Sequence, residues 1–159
     1  MNMLRNIQSG RWHLQAVLAF ALFCGGCCLV TPAHSQFQEI HQLVLNDDIA
    51  GVAADLDRAP SDLNLREDDG LTPLHLAVLH CRLSIVKLLI SKGADLNAKA
   101  TGGATPLHFA AQEGCAEGIV ALRAGGARID SRDDQGRTPL DRAKLWHQTS
   151  VEPLLQPTP

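Results

Sequence analysis

Two stretches of the chain carry the same apolar pattern. Leu74, Ala77 and Val78 fall three and four residues apart, as do Leu107, Ala110 and Ala111, so each stretch predicts an amphipathic helix. The alanines on these faces let a neighbouring helix come close. Thr72-Pro73 and Thr105-Pro106 stand just ahead, and Thr138-Pro139 repeats the signal further on. A threonine hydroxyl caps a helix whose first position is proline, where the missing N–H costs nothing. A second helix follows the first over about Ser84 to Ser91, with Ile85, Leu88 and Leu89 as its buried side. Gly93 and Gly126 close second helices where the chain turns left-handed, and Gly70, Gly103 and Gly136 mark the tight turns before each Thr-Pro.

These signals are periodic. Gly70-Leu71-Thr72-Pro73-Leu74-His75, Gly103-Ala104-Thr105-Pro106-Leu107-His108 and Gly136-Arg137-Thr138-Pro139-Leu140-Asp141 lie at intervals of 33, and Gly93-Ala94 and Gly126-Ala127 keep that step. With Gly93-Ala94-Asp95 closing the fullest copy, the pattern resembles the ankyrin-repeat family, whose unit of about 33 residues opens on Thr-Pro-Leu-His. The resemblance covers roughly Phe37 to Leu155. It implies an all-α solenoid of about four helix-turn-helix repeats. Ile40 to Val44 and Asp62-Leu63-Asn64 form a degenerate N-terminal cap with one extra residue, two full repeats follow, and a partial C-terminal cap carries Asp141 for His and Pro153 in its second helix. One such unit cannot bury its apolar side alone, so stability comes from stacking.

Composition narrows the partners. Residues 1–35 carry no acid, two arginines (Arg5, Arg11) and three cysteines, which leaves 36–159 with 12 basic and 17 acidic residues, a charge of −5. That balance, with no basic run, argues against nucleic acid or an anionic membrane as partner. Phe37, Phe109 and Trp146 are its only aromatic residues, so the core is aliphatic.

The N-terminal segment reads as a secretory signal. Its two arginines precede an apolar run from Leu14 to Val30, and Ala33 and Ser35 sit at −3 and −1 of a cut before Gln36. The expected layout is a signal peptide at 1–35, a repeat domain at 36–155 and a frayed tail at 156–159, in the periplasm or secreted. An uncleaved anchor and a lipid-modified Cys24 or Cys27 are the alternatives. After cleavage no membrane attachment is expected, and the domain is expected to be monomeric.

Chemistry is sparse in the repeats. No Gly-x-Ser-x-Gly, phosphate loop or paired-acid arrangement occurs, so neither an enzyme nor a cofactor is expected. His75 and His108 occupy the family position where imidazole ties adjacent turns together; Asp141 lacks the donor for that bond. Cys81 stands where the family prefers glycine between its two helices, and Cys115 follows the matching Gly114. Equivalent sites in stacked repeats lie about 8 to 10 Å apart, whereas a disulfide needs Cα atoms within about 7 Å. The offset of 34 instead of 33 can close that gap, so bonded and free cysteines both stay open. Free thiols would support redox or metal handling, with His80 and His108 as further ligand candidates, although the spacing lacks the paired ligands of a zinc site.

The resemblance also implies where a partner would bind: the turn tips and the exposed side of the first helices. By register these are Asp68, Asp69 and Leu71; Thr101, Gly102 and Ala104; Asp134, Gln135 and Arg137; and, on the helices, Leu79-His80, Gln112-Glu113 and Leu145-Trp146. His80, Glu113 and Trp146 are again 33 apart and predict one stripe, unless Trp146 packs beneath the C-terminal tail. The expected function is non-catalytic binding of an unidentified protein outside the cytoplasm, as in small exported bacterial ankyrin proteins, some of which support oxidative-stress enzymes.

Overall fold

The computed structural model describes residues 39–156. The expected signal segment and cleavage site, and all but Gln156 of the expected tail, lie outside the described residues. Within them the chain forms seven α-helices and two 3-10 turns, with no strand. Helices α1 (Glu39–Leu45) and α2 (Ile49–Arg58) form the first pair, followed by a 3-10 turn at Pro60–Asn64. Helices α3 (Pro73–Leu79) and α4 (Leu83–Ser91) form the second, and α5 (Pro106–Glu113) and α6 (Ala116–Ala124) the third. The last unit pairs α7 (Pro139–Leu145) with a 3-10 turn at Glu152–Leu155, because Pro153 cannot sit inside a regular helix.

Stacking runs in two layers. The first helices α1, α3, α5 and α7 pack in series, and α2, α4, α6 and the last 3-10 turn pack in a second series beside them. Ile40, Val44, Leu74, Ala77, Val78, Leu107, Ala110, Ala111 and Ala143 are buried between the first helices, and Val52, Leu56, Ile85, Leu89, Ile119 and Leu122 along the second. Full burial of one such aliphatic side chain contributes about 1.5 to 3 kcal/mol. On α4 the buried residues are Ile85, Val86 and Leu89. Leu88, expected in the core, is only partly buried and packs at its margin, since the face turned to α2 and α6 is centred on Ile85, Val86 and Leu89.

The Thr-Pro starts behave as capping chemistry requires. Thr72, Thr105 and Thr138 are extended at the cap, and each accepts the backbone N–H three residues on while the side chain there reaches back to the cap. The turn between the two helices of each unit holds a residue at positive φ: Asp47, Cys81, Gly114 and His147, at 58°, 51°, 69° and 57°. The first interval is 34 and the next two 33, so the extra residue of the first repeat is absorbed before Cys81.

Between units the chain makes tight fingers. Glu67, Ala100 and Asp133 donate their N–H groups to the carbonyls of Leu71, Ala104 and Arg137 at 2.9, 2.9 and 3.0 Å. Each finger leans on the next: Thr101 N–H donates to Asp69 O at 2.8 Å and Asp134 N–H to Gly102 O at 3.0 Å. On the far side of the stack the Asn64 carboxamide oxygen accepts from Asp95 N–H at 2.8 Å, and that of Asn97 from Arg128 N–H at 2.9 Å. No helix among the described residues is long and apolar enough to cross a membrane.

Candidate binding face and cysteine pair

The two family histidines are structural. Thr72 N–H, which can only donate, bonds to His75 Nδ1 at 3.1 Å, so that nitrogen is unprotonated and the proton sits on Nε2. Nε2 then donates to Ala104 O in the next repeat at 3.3 Å. His108 repeats the arrangement on Thr105 and Arg137 O, at 3.1 and 3.0 Å. Burial lowers the His75 pKa from 6.5 to about 4, more than the bond to the Ala104 carbonyl raises it. Burial lowers His108 as well. Asp141 closes its own cap by accepting the N–H and hydroxyl of Thr138, at 2.9 and 2.8 Å, and both bonds hold its carboxyl below the ordinary value.

A network absent from the sequence reading lies beside this row. Arg142 is in register with Leu76 and Phe109, so a charged residue in an apolar series was the available signal. Its guanidinium bonds to the buried Asp133 carboxylate at 3.0 and 3.1 Å and to Gln112 Oε1 at 3.3 Å, and it lies over the Phe109 ring at 5.8 Å. That ring meets His75 edge-on at 5.5 Å. Asp133 also accepts from the N–H groups of Gln135 and Arg137 and from the Arg137 side chain. Burial pushes its carboxyl up, but these donors outweigh burial and hold it down at about 2.

Most residues predicted to meet a partner are at the surface. His80 and Glu113 are exposed, and Leu145 and Trp146 are each 56 % exposed. Trp146 is therefore not buried, whereas Val151 and Leu155 of the last unit are. Leu79 and Gln112 are half-buried, and the Gln112 amide is held by Arg142 and donates to Glu113. On the fingers Asp68, Asp69, Thr101, Gly102, Asp134 and Gln135 are exposed, while Leu71 and Arg137 are half-buried. Ala104 is corrected. It is 1 % exposed, because its carbonyl receives both the finger closure and His75, which draws the residue inside the stack.

Cys81 and Cys115 are joined by a disulfide, with Cα atoms 5.7 Å apart. Cys81 holds the left-handed turn after α3 and is exposed, whereas Cys115 is the N-cap of α6 and is 4 % exposed. The extra step along the chain brings Cys115 under Cys81 rather than one full repeat away. His80 and His108 take no part in a cluster with these sulfurs; the third group near them is Glu117.

A family model of ankyrin repeats, in 3 copies, matches residues 33–133. The chain belongs to the ankyrin-repeat family. The stacked pairs, the Thr-Pro caps and the histidine ties are the family's architecture as this sequence builds it, and α7 continues the ankyrin register beyond the matched residues. Ankyrin repeats are protein–protein interaction scaffolds and, as a class, non-catalytic. No curated protein matches the sequence closely enough to count as a relative.

Proposed function

We propose that this ankyrin domain is a non-catalytic binding module that acts outside the cytoplasm and grips a partner protein, one serving an exported or stress-response system, along the row His80, Glu113, Trp146 and the adjoining finger tips. The observation that carries the reading is the exposure of Leu145 and Trp146 at positions whose counterparts in the preceding unit are polar or half-buried. A large aromatic side chain left in water on a rigid helix end is a natural hot spot for recognition. The mild negative charge of the domain and the aliphatic core add no competing chemistry.

The test compares wild type with a His80→Ala, Glu113→Ala, Trp146→Ala variant as bait against the exported fraction. A partner retained by wild type and lost by the variant is the expected result. Trp146→Ala alone should leave folding stability within about 0.5 kcal/mol, as surface changes do. Recovery of every partner at equal yield by both baits overturns the assignment of this row. Mass and N-terminal sequencing of the mature protein checks the export reading, with Gln36 as the expected first residue, and light scattering checks the monomer.

A further inference from the structure

The geometry points to a redox-gated site for a soft divalent cation, of zinc or cadmium type, formed by Cys81 Sγ, Cys115 Sγ and a carboxylate oxygen of Glu117. This goes beyond the scaffold reading and does not depend on it. The three donor atoms lie within 4.8 Å of one another. As long as the sulfurs are bonded to each other, the site is closed.

Several features suit the opened state. Zinc holds thiolates at about 2.3 Å in a tetrahedron, which sets two sulfurs about 3.8 Å apart. The Cα separation of 5.7 Å accommodates that by side-chain rotation without moving either turn. Gly118 lies against Cys115, where an added Cβ would stand 2.9 Å from the sulfur, so the absent side chain is what admits the sulfur at this place. Cys115 caps α6, whose N-terminal dipole favours a thiolate over a thiol. Cys81 and Glu117 are exposed, which gives the ion access and leaves a position for water. The neighbouring cation, Arg82, is turned toward Asp47 at 3.2 Å. Two thiolates, one carboxylate and a divalent ion leave a single negative charge at the helix N-terminus, the sign that this end stabilises.

The chemistry balances with an external reductant. A phosphine transfers two electrons to the S–S bond and becomes its oxide with oxygen from water, and the two protons of that water go to the sulfurs. Binding of the ion then releases the two thiol protons. Oxidising surroundings keep the site shut and reducing ones open it.

The experiment uses the full-length chain carrying Cys24→Ser, Cys27→Ser and Cys28→Ser, so that the pair supplies the only thiols. After phosphine reduction without oxygen, cadmium chloride is titrated and the thiolate-to-cadmium charge-transfer absorption is followed, with far-ultraviolet circular dichroism and sedimentation in parallel. One cadmium per chain on the reduced protein, none on the oxidised protein or on a Cys81→Ser, Cys115→Ser variant, and an affinity at least about tenfold weaker for Glu117→Gln are expected. The proposal is overturned by the absence of binding after reduction, by unchanged affinity in Glu117→Gln, by one ion shared between two chains, or by loss of helical signal on reduction, since the site requires the stacked turns.

Discussion

Lowering the pH from 7.5 to 5 should unlock the repeats through His75 before Asp133 yields. The imidazole is wholly buried, its Nδ1 must stay bare to accept from Thr72, and its pKa is lowered from 6.5 to about 4 by burial. A group that binds protons less readily folded than unfolded contributes stability above its unfolded pKa and loses it as the pH falls toward the folded one. Here that window runs from 6.5 down to about 4. At pH 5 the unfolded chain has taken up nearly the whole proton and the folded chain little of it, which costs about 2 kcal/mol; the full separation is worth about 3 kcal/mol. His108 acts in the same direction. Asp133, held at about 2, titrates in a lower window, where stability falls as the pH drops from 3.8, so it leaves the range from 7.5 to 5 undisturbed. The assay is urea unfolding at both pH values by circular dichroism, for wild type and His75→Gln. The variant should be less stable than wild type at pH 7.5, by about 1 kcal/mol for the lost cross-repeat hydrogen bond. Its drop on going to pH 5 should be about 2 kcal/mol smaller than that of wild type. Equal drops in the two proteins would refute the placement of a neutral, Nε2-protonated His75 between repeats.

Three further outcomes follow from the same contacts. Breaking the Cys81–Cys115 bond, which spans 34 residues, should lower stability by about 3 to 4 kcal/mol on the chain-entropy account, read as a shift of the urea midpoint with and without reductant; no shift would mean that the open chain is already held by its stacking. Leu107→Ala removes a fully buried side chain from the middle of the stack and should cost about 2 to 5 kcal/mol by the same measurement, with a loss under 1 kcal/mol contradicting its burial. Gly103→Ala places a Cβ 2.9 Å from Asp134 N at a φ of +71°, so it should cost more than Gly136→Ala, where φ is +75° but no atom lies within 4 Å and only the left-handed strain of about 1 to 2 kcal/mol remains; equal losses would contradict the close approach of the fingers.

The repeat was legible because its determinants are local. Thr-Pro caps, the positive-φ turn residues and the three-four apolar spacing act within one unit, and their step of 33 carries the register of α3, α5 and α7 without any knowledge of the neighbours. The equivalence of His80, Glu113 and Trp146 was legible for the same reason, since register alone assigns them to matching sites, but their exposure was not.

Other features needed the units to be stacked. Whether Cys115 reaches Cys81 depends on how a one-residue offset combines with the spacing between helices, and the sequence left both outcomes open. Ala104 and Thr101 read alike as finger residues, yet one carbonyl's place under His75 buries the first while the second stays in water. Arg142 reaches Asp133 only because the last finger folds back over α7, and Trp146 is left in water while Val151 and Leu155 are buried. Period and capping are set by bonds a few residues long; exposure and pairing are set by what the adjoining repeat covers, and that is a property of packing angles between units.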